Sequence, residues 1–368
     1  MIPAAPMSTA ITPVDVSVVI PVHNGEEWLE SVLDAVLQQA DERPLEIIAV
    51  EDGSRDRSPE ILARYAAAGK LTVIAGPHRG AAAALNAGIR RATRPIVCQI
   101  DQDVILQPQW IKVLTSALED AHIAAAQAYY EPPPGASVWV RVMGLDLLWR
   151  YRRMSTRDVN HVCTGNTAYR VSALAAIGFF DESLGYGYDN DVSYRLRAAG
   201  YRLVMCPDAR SIHQWRDGWR AYSRQQYGFG YGRLDLVAKH RRRVAGDDVS
   251  PLSMMLHAPL LGTALVLLAL SGGLAVAGYG TVVPLALATI ILATLIVERF
   301  VAGARAARIF GDSAGWWFVP VHLTRDLAWV AALVMWTVRR GAGIAAHPSH
   351  SMEPRPVAAE SPRVERVG

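Results

Sequence analysis

The chain has 368 residues, of which 51% are hydrophobic, and its formal net charge is +3 at pH 7. This length allows two domains, and the small net charge, with basic residues gathered just before an apolar region, does not indicate a nucleic-acid-binding protein. The three cysteines lie far apart and match neither a zinc-ligand spacing nor a disulfide framework, which favours a reducing compartment. Residues 1–14 contain no apolar stretch of signal-peptide length, so we expect no secretion signal.

Apolar runs of strand length alternate with segments of helical period over the first part of the chain. The predicted strands are residues 16–22, 45–50, 71–74, 95–104, 123–129 and 201–206, with a short strand after a turn within 163–170. The predicted helices are 26–39, one beginning at 58, 81–91, 108–119, 138–153 and one that opens within 185–191 and ends at 199. Because strands and helices alternate, we predict an α/β domain with a mostly parallel, doubly wound sheet.

Two carboxylates end the fourth predicted strand. Asp101 and Asp103 are two residues apart, so in an extended chain both side chains lie on the same side. At the carboxyl end of a parallel strand they would face the ligand crevice. A divalent cation such as Mg²⁺ or Mn²⁺, which commonly also holds substrate phosphates, would remove their mutual repulsion. For an isolated Asp-x-Asp pattern, a solvated turn is the alternative.

Seven short motifs occur together in the order and spacing of family 2 glycosyltransferases. They lie at residues 18–24, 51–54, 79–88, 101–103, 165–166, 178–181 and 189–191. Each motif alone is weakly specific, but the ordered set across residues 16–213 resembles that family closely. The resemblance implies a Rossmann-like, A-type glycosyltransferase fold (GT-A) that binds a nucleotide-diphospho-sugar donor.

The resemblance also implies which residues bind the donor. Asp52 would hold the nucleotide base, since a carboxylate can accept a hydrogen bond from a ring N–H. The full implied donor set is Pro21, Asn24, Asp52, Arg79, Gly80, Asn86 and Asp101. Three of these residues have a structural alternative. Asp52 would lie in a plain turn, Gly80 would be needed for a tight turn, and Asn86 would be a polar residue on a helix surface.

The metal and the catalytic base are implied in the same way. Asp103 would ligate the cation directly, Asp101 would bridge it to the ribose or also ligate it, and His213 would approach the metal or diphosphate. Asp189 matches the position of the base that takes the proton of the acceptor hydroxyl. Asp191 would orient the acceptor. Helix capping for Asp189 or Asp191, and a purely structural His213, remain the alternatives.

Three departures from the family pattern qualify these implications. Glu51 replaces the more usual aspartate or asparagine, and Tyr188 stands before Asp189 where a glutamate is usual, which leaves the acceptor contacts open. The Gln-x-x-Arg-Trp signature of processive synthases is absent, so we expect one sugar to be added per visit.

The segment 222–233 resembles the juxtamembrane part of succinoglycan-type exopolysaccharide glycosyltransferases.

An apolar region follows the predicted catalytic domain. Segments 252–278 and 281–297 are long enough to span a membrane as a hairpin. The basic run at 239–243 in front of them predicts a cytoplasmic location for that end of the hairpin. We therefore expect a multi-pass protein of the inner membrane with a cytoplasmic catalytic domain.

The third apolar segment, 314–338, is ambiguous. His322, Arg325 and Asp326 interrupt it, and two arginines follow it. An interfacial or tilted helix is the first expectation, because a full span would place those arginines outside, against the positive-inside rule. The predicted organisation is a disordered N-terminus at 1–14, a catalytic domain at 15–235, a basic linker at 236–250, membrane helices at 251–340 and a disordered tail at 341–368.

The sequence thus predicts an inverting, non-processive glycosyltransferase of polysaccharide or cell-envelope synthesis. Its partners would be a nucleotide-diphospho-sugar, a polyprenyl-linked saccharide acceptor, the membrane and Mg²⁺ or Mn²⁺, and no nucleic acid. Transfer directly to polyprenyl phosphate and a non-catalytic scaffold that binds nucleotide-sugars are the two alternatives. The donor sugar, the base, the linkage and the oligomeric state do not follow from the sequence.

Overall fold

The structure is a computed structural model that describes residues 16–40, 45–154, 157–247 and 250–343. The predicted disordered N-terminus, 1–14, and the tail from 344 lie outside the described residues. The strands are β1 (Val16–Val22), β2 (Glu46–Glu51), β3 (Thr72–Ala75), β4 (Ile96–Ile100), β5 (Val104–Leu106), β6 (Ile123–Glu131), β7 (Asp158–Val159), β8 (Asn166–Arg170) and β9 (Arg202–His213).

Eleven α-helices occur within the described residues. They are α1 (Leu29–Leu37), α2 (Ser58–Ala67), α3 (Ala81–Arg91), α4 (Trp110–Ala117), α5 (Val138–Arg153), α6 (Val171–Ala176), α7 (Tyr188–Ala198), α8 (Gly218–Lys239), α9 (Leu252–Val276), α10 (Val282–Phe310) and α11 (Phe318–Gly341). The bounds of α3 and α5 agree with those predicted from apolar periodicity.

The nine described strands form one mixed sheet rather than the mostly parallel sheet predicted from the sequence. The order is β3-β2-β1-β4-β8-β6-β9-β5, and β7 pairs with β9. β3, β2, β1 and β4 are parallel, whereas β8 lies antiparallel between β4 and β6. Periodicity identifies a strand but not its direction, because direction depends on which distant strands it pairs with.

Helices cover both faces of the sheet. Buried residues of α1, α2 and α4 pack on one face, and those of α3, α6 and α7 pack on the other. Gly88 of α3 lies directly on the sheet, where an added Cβ would come within 2.4 Å of Val19 Cγ1. The carboxyl ends of parallel β1, β2 and β4 consequently meet at one edge, as expected for a ligand crevice.

The last strand runs further than predicted. The sequence predicted its end at 206, but β9 continues to His213 and shifts register against β6 after Ala128. Its final residues pair with β5, so that His213 lies opposite Val104. This extension is what brings His213 beside the carboxylates that precede β5.

Within the described residues, three helices are long and apolar enough to cross a membrane: α9, α10, and α11 taken together with the 3-10 turn that precedes it. α10 extends to Phe310, well past the expected end at 297. α11 is one continuous helix that includes the charged residues thought to interrupt it, and His322, Arg325 and Asp326 are all buried. These polar side chains therefore face protein rather than the surroundings.

The C-terminal apolar helices pack against α5 and α8 of the preceding α/β domain. A buried apolar cluster joins three helices, and it includes Val142 and Leu145 of α5, Tyr222 of α8, and Phe318 and Val321 of α11. The cluster makes α5 and α8 the layer that joins the sheet domain to the apolar helices.

A row of glycines allows close packing on two sides of α8. A Cβ added at Gly228 or Gly232 would come within 2.6 Å of atoms of Tyr186, and one at Gly230 would lie 3.0 Å from Trp329 of α11. The Gly-x-Gly-x-Gly pattern in 222–233 therefore has a packing reason, since it lets α8 approach the loop before α7 and also α11.

Candidate functional site

The site is centred on the two carboxylates that follow β4. Burial, together with the neighbouring Asp103 charge, raises the pKa of Asp101, and burial likewise raises the pKa of Asp103. Gln99 Nε2 donates a 2.8 Å hydrogen bond to Asp101 Oδ1. Burial lowers the pKa of His213 to about 4, so this imidazole is neutral near pH 7 and able to act as a ligand.

These residues fit the divalent cation that the sequence predicts. Among the described residues, Asp103 Oδ1 and His213 Nδ1 are buried and have no hydrogen-bond partner. His213 Nε2 lies 3.6 Å from Asp103 Oδ1. Two partly buried carboxylates with raised pKa values, one of which has an unpaired oxygen, are stabilised by a bound cation. An O/N donor set suits Mg²⁺ or Mn²⁺.

The loops at the ends of β1, β2 and β4 are tied together beside this pair. Gln102 exchanges two hydrogen bonds with the backbone of His23, at 2.7 and 2.9 Å. Asn24, with a left-handed φ of 54°, accepts a 2.7 Å hydrogen bond from Arg55 N. Pro21, near the end of β1, pairs with Val50 of β2. Pro21 and Asn24 therefore belong to the linked loops at this edge of the sheet, and their donor contacts stay a prediction.

Asp52 binds the loop that precedes α3. Its Oδ1 accepts a hydrogen bond from His78 N at 2.6 Å, and its Oδ2 accepts one from Gly80 N at 3.1 Å. Gly80 has a φ of 96°, which suits glycine, and stands immediately before α3. The carboxylate thus has a structural task, and the predicted contact with a nucleotide base would use its remaining lone pairs.

Arg79 and Asn86 are brought to Glu182 rather than to the carboxylate pair. Arg79 forms a 2.9 Å ion pair with Glu182, and its side chain is 67% exposed. The buried Asn86 amide bonds both the N and O of Phe180, at 3.0 and 2.9 Å, as well as Glu182. Asn86 is therefore neither the helix-surface residue of the structural alternative nor directed at Asp101.

Asp189 and Asp191 lie in the first turn of α7 but have different surroundings. The Asp189 side chain is 27% exposed and lines the same cavity as Asp101 and His213. Asp191 is fully buried, and its oxygens bind Arg195, Lys239 and His240 at 2.6–2.7 Å. Burial opposes ionisation, but these hydrogen bonds and the Arg195 charge lower the pKa of Asp191. Asp191 thus joins α7 to the end of α8, and the predicted acceptor role stays a prediction.

One cavity of about 340 Å³ connects the site to the apolar helices. Asp101, His213 and Asp189 line one end of it. The other end is formed by α5, α8, α9 and α11, and its lining includes Asp146, Arg150, Phe229, Met254, His322 and Trp329. The helices predicted to lie in a membrane therefore form part of the wall.

Sequence reasoning missed several residues that shape this site. Gly165, noted only as part of a motif, is required because an added Cβ would lie 2.1 Å from Asp101 Oδ2. His161 and Cys163 line the cavity beside Asp189. Gln99 could have been found as the inward-facing position two residues before Asp101, whereas no local pattern indicates His161 or Cys163.

Comparison with known proteins places the chain in a family. The sequence profile described as "Glycosyl transferase family 2" matches residues 17–178. An uncharacterized glycosyltransferase of Mycobacterium bovis is 31% identical over 191 residues, which are 51% of this chain and 82% of that protein. The pre-mycofactocin glycosyltransferase of Mycobacterium tuberculosis is 28% identical over 87% of this chain, which spans 63% of the length of that relative.

The fold also has a solved counterpart. A mannosyltransferase of Pyrobaculum calidifontis, in complex with GDP-Man and Mn²⁺, superposes with a TM-score of 0.57 at 20% identity over 89% of both chains. At that identity the likeness concerns the fold, a mixed α/β GT-A domain followed in this chain by three long apolar helices. From the profile match and the M. bovis relative, the chain belongs to glycosyl transferase family 2.

Proposed function

We propose that this glycosyltransferase is inverting and non-processive, and that it moves a sugar from a nucleotide-diphospho-sugar to a lipid-linked saccharide at the inner face of the membrane. The pathway would be polysaccharide or cell-envelope synthesis. The observation that carries the proposal is the cavity that runs from Asp101 and His213 past Asp189 to Trp329 of α11. An acceptor held in the membrane would reach Asp189 from the side of the apolar helices.

Asp101, Asp103 and His213 would hold Mg²⁺ or Mn²⁺. The bound cation supplies positive charge that stabilises the leaving diphosphate. The protein prepares the ligands, because Gln99 fixes Asp101 through a 2.8 Å hydrogen bond and β9 delivers His213 beside Asp103. The loops after β1 and β2, with Asp52 between them, would enclose the nucleoside.

Asp189 would act as the general base. It lies in the first turn of α7 and lines the cavity together with Asp101 and His213. It would take the proton of the acceptor hydroxyl as that oxygen attacks the anomeric carbon. A single base on the acceptor side, without a second carboxylate acting as nucleophile, is the chemistry of inversion.

Transfer to polyprenyl phosphate is the second candidate. Arg150 and Arg325 line the end of the cavity beside the apolar helices, where they could contact a phosphate. The two acceptors give different products, a lengthened lipid-linked saccharide or a sugar linked to lipid through one phosphate, and the products can be separated by mass spectrometry.

The experiment screens UDP-, GDP- and dTDP-sugars for binding to the detergent-solubilised full chain, with Mn²⁺ or with chelator. We expect one nucleotide class to bind with Mn²⁺, and we expect Asp103→Ala to abolish that binding. Asp208→Asn is the matched control, because its carboxylate lies on β9 but is 74% exposed. Metal-independent binding, or equal binding by Asp103→Ala, would reject the metal-dependent site.

Turnover is then measured with labelled donor and bacterial lipid extract, with pre-mycofactocin included as a test acceptor because of the M. tuberculosis relative. We expect label in a lipid-linked saccharide, and loss of that label with Asp189→Asn while donor binding remains. Donor binding without transfer or hydrolysis under any condition would instead favour the non-catalytic scaffold.

A further inference from the structure

A second group of possible metal ligands lies beside Asp189. One nitrogen of His161, Cys163 Sγ and one carboxylate oxygen of Asp189 all lie within 4.8 Å of one another. His161 Nε2 is 3.5 Å from Asp189 Oδ2. Bonds of 2.0–2.3 Å to a tetrahedral zinc ion place its ligands about 3.3–3.8 Å apart. All three separations therefore lie within about 1.5 Å of ligand spacing.

His161 gives a separate indication that this position takes a ligand. The residue is 3% exposed, and among the described residues neither of its ring nitrogens has a hydrogen-bond partner. A buried imidazole without hydrogen bonds costs free energy, and such groups call for a functional or ligand-based explanation. Its Nε2 faces Asp189 within the cavity.

The loop that carries His161 and Cys163 is held firmly. Val162 N donates to Ser193 Oγ at 3.2 Å, and Cys163 N donates to Gln127 Oε1 at 2.6 Å. Thr167 Oγ1 donates to the Cys163 carbonyl at 2.7 Å. A fixed loop holds its two side chains near ligand geometry in advance, which is what a metal site requires.

We propose that His161, Cys163 and Asp189 form a second metal site that binds a thiophilic divalent cation such as Zn²⁺. A thiolate and an imidazole select zinc-like ions over Mg²⁺, so this site is chemically distinct from the Asp101, Asp103 and His213 group. Three protein ligands leave a fourth position open, as in zinc sites that admit water or another small ligand. Binding releases the Cys163 thiol proton to solvent.

The consequence for transfer rests on the proposed function. Where Asp189 is the base, an ion held there occupies the carboxylate that must accept the proton, so Zn²⁺ inhibits while Mn²⁺ supports the reaction. The metal site itself does not depend on that assignment, since its test needs neither donor nor acceptor.

The test titrates the full chain in detergent with Co²⁺, which substitutes for Zn²⁺ and gives a thiolate charge-transfer absorption when sulfur is a ligand. The Asp103→Asn background removes the first metal site. We expect the absorption in that background, its displacement by Zn²⁺, and at least a tenfold loss of Co²⁺ affinity with Cys163→Ser or His161→Ala. Cys206→Ser is the matched control, because this buried cysteine lies on β9 away from the cluster.

The outcomes separate this site from the proposed function. A thiolate absorption that Cys163→Ser removes and Cys206→Ser retains supports the second site, whatever the role of Asp189. No thiolate absorption in the folded wild-type chain, or one that survives both Cys163→Ser and Cys163→Ala, would overturn it. Circular dichroism of each variant establishes that it is folded.

Discussion

The buried pair of Arg233 and Asp247 allows a quantitative prediction. Asp247 has no exposed side-chain area and Arg233 has 10%, and their Nη1 and Oδ2 atoms are 3.2 Å apart. Asp247 also accepts hydrogen bonds from Asn190 Nδ2 at 3.1 Å and Tyr194 Oη at 2.6 Å. The pair therefore joins α8 to the turn that carries Asp189.

Asp247→Asn removes the anion and leaves a buried guanidinium. Burial opposes ionisation, but the positive charge of Arg233 and the hydrogen bond from Tyr194 contribute to lowering the pKa of Asp247 from 3.8 to about 2. That shift corresponds to about 2 kcal/mol of folding free energy. Breaking a buried ion pair typically costs about 3–5 kcal/mol. We expect a loss of about 2–4 kcal/mol.

The assay is thermal unfolding in detergent, in which that loss lowers the apparent Tm on the order of 5–10 °C. Because the folded-state pKa is depressed, the stabilisation is present above about pH 4 and is lost as pH falls towards 2. The difference between the stabilities of wild type and variant should therefore narrow as pH falls from about 4 to about 2.

Glu60→Gln is the control, because it breaks the Arg57–Glu60 pair, in which both side chains are 76% exposed. That change should cost no more than about 0.5 kcal/mol. Burial would not explain the stability of the pair if Asp247→Asn had the same Tm as Glu60→Gln. The same conclusion would follow if the loss of stability in Asp247→Asn did not change with pH.

Two glycines give further predictions. Gly165→Ala places a Cβ 2.1 Å from Asp101 Oδ2, so the Asp101 side chain must move. Calorimetry should show Mn²⁺ affinity reduced by about 10–100-fold. Unchanged affinity would mean that Asp101 is not a ligand. Gly88→Ala places a Cβ 2.4 Å from Val19 Cγ1 and should destabilise the fold by about 1–3 kcal/mol without changing Mn²⁺ binding. An unchanged Tm would show that α3 moves off the sheet at little cost.

Local patterns in the sequence determined much of this protein. The alternation of apolar runs and helical periods located β1 to β4 with α1 to α3, and seven ordered motifs identified the family. The carboxylates Asp101 and Asp103 were placed at a strand end because side-chain direction in a strand has a period of two. The long apolar segments predicted α9 and α10, since hydropathy over about 20 residues is a local property.

The tertiary structure decided whatever depends on residues distant in the chain. The antiparallel insertion of β8 and the extension of β9 to His213 arise from pairing with other strands. Asp191 matches a functional motif, yet Lys239 and His240, contributed by the end of α8, bind its carboxylate and bury it.

The same reason explains what the sequence could not reveal about the site. Cys163 fits no linear metal-binding spacing, because Asp189 lies on a helix that only the fold brings within reach. The polar residues of α11 looked like interruptions of a span, but His322 lines the cavity that leads to Asp101. Sequence periodicity indicates which residues are buried, whereas tertiary packing determines which other residues they contact.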